Sequence, residues 1–369
     1  MLQATLFTDA APPPPPPPSR RAHPTHGAQK DIQYLATTAR SILNGPAATG
    51  MSYWSLNPYV GCAFGCTYCY ARYAHRYVME RALEQTSDAD ARDLADLPPW
   101  LAFERRVLVK QDAPALLRRA LRPGTATHRA LTGGQTVVIG TATDPYQPAE
   151  RRFRLTRAVL EVLAEQQGLS VVIITKSPLV TRDADVLARI ARRSSLSVHV
   201  SLITLDRELA RRIEPRAPTP ESRLRAVRRL REAGVDVGVN CMPVLPGITD
   251  APGDIERLVA AVADAGATHL AACALRLQST ARQRYVPFIA QEFPELAARY
   301  RATYATGHQA GDRYRVGLRR TFARLCRRHG IHFGMPEQSD DEVAEISLAA
   351  QRAAGVAQLE LELELVLEP

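Results

Sequence analysis

At 369 residues and 46% hydrophobic content the chain is long enough to bury one barrel-sized core, and with no run of 18 apolar residues it has no candidate membrane span. Six cysteines, three of them within eight residues, do not make a disulfide framework, and no basic-then-apolar leader opens the chain, so thiols in a reducing cytoplasm are expected. The formal charge of +9 divides into −7 over residues 339–369 and +16 over the rest, which suits a polyanionic partner, although 44 of the 47 basic residues are arginine, as GC-rich coding alone would give.

Residues 1–28 hold seven consecutive prolines, Pro12 to Pro18, and read as a disordered or polyproline tail. A first strand is expected near 53–59, running into the segment Asn57-Pro-Tyr-Val-Gly-Cys-Ala-Phe-Gly-Cys-Thr-Tyr-Cys-Tyr-Ala-Arg72. An insertion over about 80–130 follows, with an acidic stretch at 87–100, a strand at 103–110 and a helix at 113–121. From Gln135 short β-branched runs alternate with amphipathic stretches. Strands are expected at 136–140, 170–175, 197–202, 236–242 and 269–275, with helices at 155–166, 183–193, 221–233 and 254–265. Crossovers of helix length between strands nearly all of which are apolar throughout mean a parallel sheet covered on both faces, here an open (β/α)6 partial barrel within a core spanning 29–282. A mainly helical extension, 288–304 and 313–328, occupies 283–338. An acidic tail, 339–369, ends in an alternating Leu/Glu run that suits either an edge strand or a frayed end.

Cys62, Cys66 and Cys69 are spaced C-x3-C-x2-C and have no local fourth ligand. Structural zinc takes a closed set of four, whereas three thiolates on a [4Fe-4S] cluster leave one iron open to a small molecule. In parallel β/α folds the reactive groups gather at the C-terminal strand ends. There the chain places TATDPYQPAE at 141–150, Thr175-Lys-Ser177, Ser201 and Asn240-Cys-Met-Pro-Val-Leu-Pro-Gly247. Pro246-Gly247 reads as a tight turn with glycine supplying positive φ. Cys241, Cys273 and Cys326 sit in regular elements, where a free thiol behaves as a small hydrophobe.

With C-x3-C-x-Tyr-C after the first strand, then TATDPYQPAE, ITKSPLVTRD and a Pro-Gly turn in β/α order, the chain resembles the radical S-adenosylmethionine (SAM) enzymes, and among them the spore photoproduct lyase-like family, from about Tyr53 to Arg282. The resemblance implies a [4Fe-4S] cluster on Cys62, Cys66 and Cys69, with SAM chelating the fourth iron and reductively cleaved to a 5′-deoxyadenosyl radical that abstracts a substrate hydrogen. It also implies Tyr68 packing near adenine, Thr143 and Asp144 holding the SAM amino group, Lys176 meeting the SAM carboxylate, Ser201 touching ribose or carboxylate, and 239–245 lining the adenine side. The residues themselves allow plainer roles: Tyr68 as a packing anchor, Asp144 as a turn cap before Pro145, and Ser201 as a core hydroxyl.

The resemblance further implies an electron donor of the reduced flavodoxin or ferredoxin type, and DNA or RNA as the favoured substrate class, handled by a monomer. Arg72, Arg76, Arg151, Arg152 and Arg154 flank the expected open face. Gly140 to Asp144 lacks the cysteine with which spore photoproduct lyase returns a hydrogen atom, so the catalytic residues stay unassigned, with Tyr70, Tyr73 and Tyr146 as candidate donors or platforms. A radical SAM enzyme acting on a small metabolite or peptide is a second reading. A non-catalytic iron–sulfur protein that senses redox state or binds nucleic acid is a third.

Overall fold

A computed structural model describes residues 25–29, 31–72 and 97–334. The proline run, the 73–96 segment and the acidic tail lie outside the described residues, as do Tyr73 and Arg76. The strands are β1 (Thr25–Gln29), β2 (Ile32–Thr37), β3 (Leu43–Asn44), β4 (Trp54–Leu56), β5 (Tyr59–Val60), β6 (Arg106–Lys110), β7 (Thr136–Ile139), β8 (Ser170–Thr175), β9 (Ser195–Ser201), β10 (Asp236–Val244), β11 (His269–Ala274) and β12 (His332–Phe333). The helices used below are α1 (Pro99–Arg105), α2 (Ala113–Ala120), α3 (Ala126–Thr132), α4 (Pro148–Phe153), α5 (Leu155–Ala164), α6 (Ala184–Ala191), α7 (Arg207–Ile213), α8 (Pro220–Glu232), α9 (Pro252–Asp264), α10 (Ser279–Glu292), α11 (Pro294–Thr303) and α12 (Asp312–Arg328).

The main sheet runs β12-β11-β10-β9-β8-β7-β4-β3. All neighbours from β4 to β12 pair in parallel, and β3 adds an antiparallel edge. The six β/α strands β4, β7, β8, β9, β10 and β11 form the expected partial barrel, with β12 as a short seventh parallel strand. The crossovers start where local chemistry starts helices: Thr219 accepts from Ser222 N with Pro220 in the first turn of α8, and Asp206 accepts from the amides of Glu208 and Leu209 to open α7.

Strand alternation sorts the barrel's two faces. Val137, Ile139, Val171, Ile173, Val198, Val200, Val237, Val239 and Leu270 join the core under the helices. The opposite, concave face carries Ser197, His199 and Ser201 on β9, Asp236, Gly238 and Asn240 on β10, and His269 on β11. The expectation that nearly every strand is apolar throughout therefore does not extend to these three, because their inner face lines the barrel interior rather than a second helix layer.

A second sheet, β1-β2-β6-β5, stands beside the barrel. Its residues Ile32, Tyr34, Tyr59, Val107 and Val109 pack with Ala63 and Ala149. The strand expected over 103–110 begins only at Arg106. Pro99 starts α1, whose helix keeps Phe103, Glu104 and Arg105, and the β-branched run of β6 follows directly. The helical extension appears as α10, α11 and α12, and the aromatic residues Tyr285, Phe288, Tyr300 and Tyr304 join Cys62, Cys66 and Tyr68 in a single apolar cluster.

Candidate functional site

β5 runs directly into Gly61 and Cys62, so the small sheet delivers the cysteine loop to the C-terminal end of the barrel strands. The loop is held from several sides. Gly61 O accepts from the Thr143 hydroxyl and from Gln147 Nε2 at 2.9 Å, while Gln147 Oε1 accepts from Ala63 N at 2.9 Å. Cys62 N donates to Phe103 O at 2.8 Å, and Thr67 N to Ile213 O at 3.0 Å. Gly65 takes φ +66 where a Cβ would lie 2.7 Å from both Arg216 Nη2 and Glu104 Oε2, so only glycine fits.

The three thiols sit in this loop with Cys62 and Cys66 buried and Cys69 half-buried. Burial pushes the Cys62 thiol up to about 12, with Asp144 and Cys69 adding to it and the Phe64 and Asp144 amides opposing. Burial also raises Cys66 well above a free thiol and raises Cys69, with Lys176 acting against the rise in both. Amides of Phe64, Asp144 and Ala71 thus face the sulfurs, and the thiols act on one another. Among the described residues no three His, Cys, Asp or Glu side chains converge on a single ion. Three soft sulfurs on one loop, backed by N–H groups, by Lys176 and, at Cys69, by Arg72, fit a cluster held by thiolates.

Behind the thiols lies a buried charged group that sequence reasoning did not single out. The Tyr68 hydroxyl and the Arg223 guanidinium both donate to Glu214, and Lys176 Nζ stands 3.8 Å from Glu214 Oε1 and 5.8 Å from the Tyr68 ring centre. Burial alone would raise Glu214, but Arg223 and Lys176 outweigh it and hold the carboxyl below its usual range. For Lys176 burial works downward, and Cys66 and Glu214 override it, so the ammonium is retained. Lys176 is 15% exposed along its side chain at the strand end beside the thiols.

The other expected contacts fall around the same opening. Asp144 Oδ1 accepts from Tyr146 N at 2.9 Å and from the Thr175 hydroxyl at 2.7 Å, and Oδ2 accepts from Lys176 N at 2.7 Å. Its carboxylate therefore caps its own turn and ties β7's end to β8's end. The Thr143 hydroxyl is engaged with Gly61 O, and Gln147 Nε2 donates to it at 2.8 Å. Ser201 closes β9 on the concave face, and its carbonyl accepts from Arg223 at 3.0 Å. The structure thus brings Cys62, Cys66, Cys69, Tyr68, Thr143, Asp144, Lys176 and Ser201 to one end of the barrel.

Two expectations change. Arg72 is fully buried, donating to the carbonyls of Cys66 and Trp100 and to Glu104, so it braces the loop and offers nothing to a phosphate. Tyr146 is 1% exposed in the helix-side core and serves packing. Tyr70, 48% exposed beside Cys69, donates to Thr141 O at the rim. The exposed Arg151, Arg152 and Arg154 lie on or next to α4, whose Ala149 packs with Ala63 of the cysteine loop.

Residues 56–259 match the family model described as the Radical SAM superfamily. The uncharacterized proteins Mb2609c of Mycobacterium bovis and Rv2578c of Mycobacterium tuberculosis are each 34% identical over 314 residues, covering 84% of this chain and 85% of theirs. Among solved structures, a cysteine-to-serine mutant of spore photoproduct lyase superposes with a TM-score of 0.56 at 14% identity, covering 81% of each chain. A double mutant of that lyase with bound AdoMet and dinucleoside spore photoproduct gives 0.55, with the same identity and coverage. At such identity the likeness is one of fold.

Proposed function

The chain belongs to the radical SAM superfamily and is a radical SAM enzyme, and from that premise we propose that it holds a [4Fe-4S] cluster on Cys62, Cys66 and Cys69 and acts on a nucleic acid or nucleotide. The observation that carries the reading is the trio of loop thiols at the mouth of the barrel, faced by backbone amides and by Lys176. When bound, the cluster with SAM supplies reductive cleavage of the sulfonium to a 5′-deoxyadenosyl radical, fed by an external one-electron donor of the flavodoxin or ferredoxin type.

The chain's own residues do the positioning. Gly65 and the Gln147 clamp fix the loop, and Arg72 braces it from below. Lys176 keeps a positive charge at the strand end where an anionic carboxylate would lie, with Glu214 holding it in place. Phe64, Tyr68, Leu245 and Tyr285 form an apolar wall that excludes water from the thiols. Support for a polyanionic substrate comes from the +16 charge of residues 1–338 and from the exposed Arg151, Arg152 and Arg154 beside the loop.

Anaerobic reconstitution followed by a SAM-cleavage assay tests the reading. Wild type should form 5′-deoxyadenosine and Cys66→Ala should not; a wild-type protein that forms none sinks it. Deuterium passing from a labelled oligonucleotide into 5′-deoxyadenosine would support the substrate class. Deuterium arriving only from labelled small metabolites or peptides would replace it.

A further inference from the structure

The concave face of β9, β10 and β11 carries a hydrogen-bonded chain that no role above uses. Thr268, just before β11, donates its hydroxyl to Asp236 Oδ1 at 2.7 Å, with Val237 O as a second acceptor at 3.2 Å, and the Thr268 hydroxyl oxygen lies 3.0 Å from His269 Nδ1. His269 Nε2 meets His199 Nε2 at 3.1 Å, the rings edge to face. Both histidines are buried, and Gly238 makes the room: a Cβ there would fall 1.9 Å from His269 Nε2. At the far end His199 Nδ1 and Asn240 Oδ1 are buried without partners, as is Ser197 Oγ on the same face. The Asn240 carboxamide nevertheless lies close enough to His199 to act on its basicity.

Proton counting gives this chain a direction. A hydroxyl has one proton, and Asp236 Oδ1 at 2.7 Å and Val237 O both take the accepting part toward it, so the Thr268 proton points away from His269 and the Thr268 oxygen receives Nδ1–H from His269. Burial holds both imidazoles neutral near pH 7, lowering His199 to about 4 and lowering His269 as well. A neutral imidazole has one N–H, so His269 Nε2 is bare, His199 Nε2 carries the proton between them, and His199 Nδ1 is bare. A bare nitrogen against a carboxamide oxygen leaves two acceptors unsatisfied. Rotating the amide by half a turn places its N–H on His199 and satisfies the buried nitrogen.

We infer that Asp236, Thr268, His269 and His199 form a one-way positioning relay that holds the Asn240 nitrogen and turns the Asn240 oxygen into the barrel, creating an acceptor subsite for a nucleoside hydroxyl or N–H. The register sets Asn240 beside Ser201, so the subsite sits in the wall next to the mouth. His199 and His269 are positioning residues, and Asn240 is the residue that touches the ligand. The subsite rests on the proposed reading of the barrel interior as the reaction chamber, whereas the relay's direction does not.

The test has two arms on the full chain with its cluster reconstituted and oxidised. In the first, long-range 1H–15N correlation spectra of 15N-histidine-labelled protein should show His269 protonated on Nδ1 and His199 on Nε2. In Asn240→Asp, whose carboxylate cannot donate, His199 should gain a second proton on Nδ1 while keeping the one on Nε2. The opposite tautomers in wild type overturn the relay, whatever the enzyme's activity. In the second arm, equilibrium dialysis measures SAM and a single-stranded oligonucleotide against Asn240→Leu and, remote from the ligand, Thr268→Val. The proposal expects about tenfold weaker binding of one probe in Asn240→Leu, with a smaller loss of the same probe in Thr268→Val. Loss confined to SAM identifies the donor as adenosyl, and loss confined to the oligonucleotide identifies it as substrate. Unchanged binding of both probes overturns the subsite.

Discussion

A carboxylate as deeply buried as Glu214 persists only if its surroundings replace water, and here one hydroxyl and two cations do so. Replacing it strands Arg223, which is 1% exposed and has no other carboxylate among the described ion pairs. Glu214→Ala should therefore lower unfolding free energy by about 3–5 kcal/mol in urea titration, and Glu214→Gln by clearly less, since the amide oxygen can still accept from Arg223 and the amide N–H can donate to the Tyr68 oxygen. Equal losses in the two variants would mean that charge rather than shape matters there. Lys176 makes a sharper point about function. Lys176→Met keeps the stem and removes the charge, so cluster content measured by iron and sulfide should stay at the wild-type level while the KM for SAM rises about tenfold. An unchanged KM would end its assignment to the SAM carboxylate. Lys176 was legible in the sequence as a rare lysine at a strand end. Glu214 was not, because an acid followed by Pro215 and Arg216 after an arginine-rich helix looks like surface until the fold places Tyr68 and Arg223 around it.

At the scale of elements, what the sequence revealed follows how strongly each segment repeats its pattern. β8 falls where its β-branched run predicts, and the four crossover helices end within two residues of expectation, because long periodic segments override local detail. The two-residue strands β3, β5 and β12 have no period to detect and are set by tertiary pairing. Phe103 and Glu104 look like strand when read with the following Val-Leu-Val, yet Pro99 had already started a helix through them. β9 carries a consequence for pH. His199 is lowered to about 4 from an unfolded value near 6.5, chiefly by burial and then by His269, so between those values the unfolded chain binds the extra proton. Its contribution to stability is whole above about 6.5 and is lost as pH falls toward 4, by about 3 kcal/mol at most. Thermal unfolding followed from pH 7 to pH 4 should show that loss, reduced in His199→Gln. A variant as pH-sensitive as wild type would place the titration elsewhere.

For the whole molecule, net charge is a weak guide, because arginine is spread over the outer helices as well as near the mouth. What distinguishes a binding face is where cations stand relative to the chemistry. Arg151, Arg152 and Arg154 follow the loop that ends β7, and the break between α4 and α5 is made by Arg154 itself, at φ 53 in the left-handed region. Arg152 lies over the Phe153 ring at 5.3 Å, which keeps its planar group extended along that surface. If these three meet phosphates of a single strand, each contact releases counterions and adds about 0.7 to the steepness of log affinity against log salt. The combined variant Arg151→Gln, Arg152→Gln and Arg154→Gly should lower that slope by about 2. Stability should change little with it, because the left-handed backbone at Arg154 suits glycine and offsets the extra entropy glycine gives the unfolded chain. Fluorescence anisotropy with a labelled single-stranded oligonucleotide across a salt series measures the slope directly. A slope unchanged in the triple variant would move the nucleic-acid face away from the cysteine loop, and no measurable binding by wild type at low salt would remove nucleic acid as the substrate class.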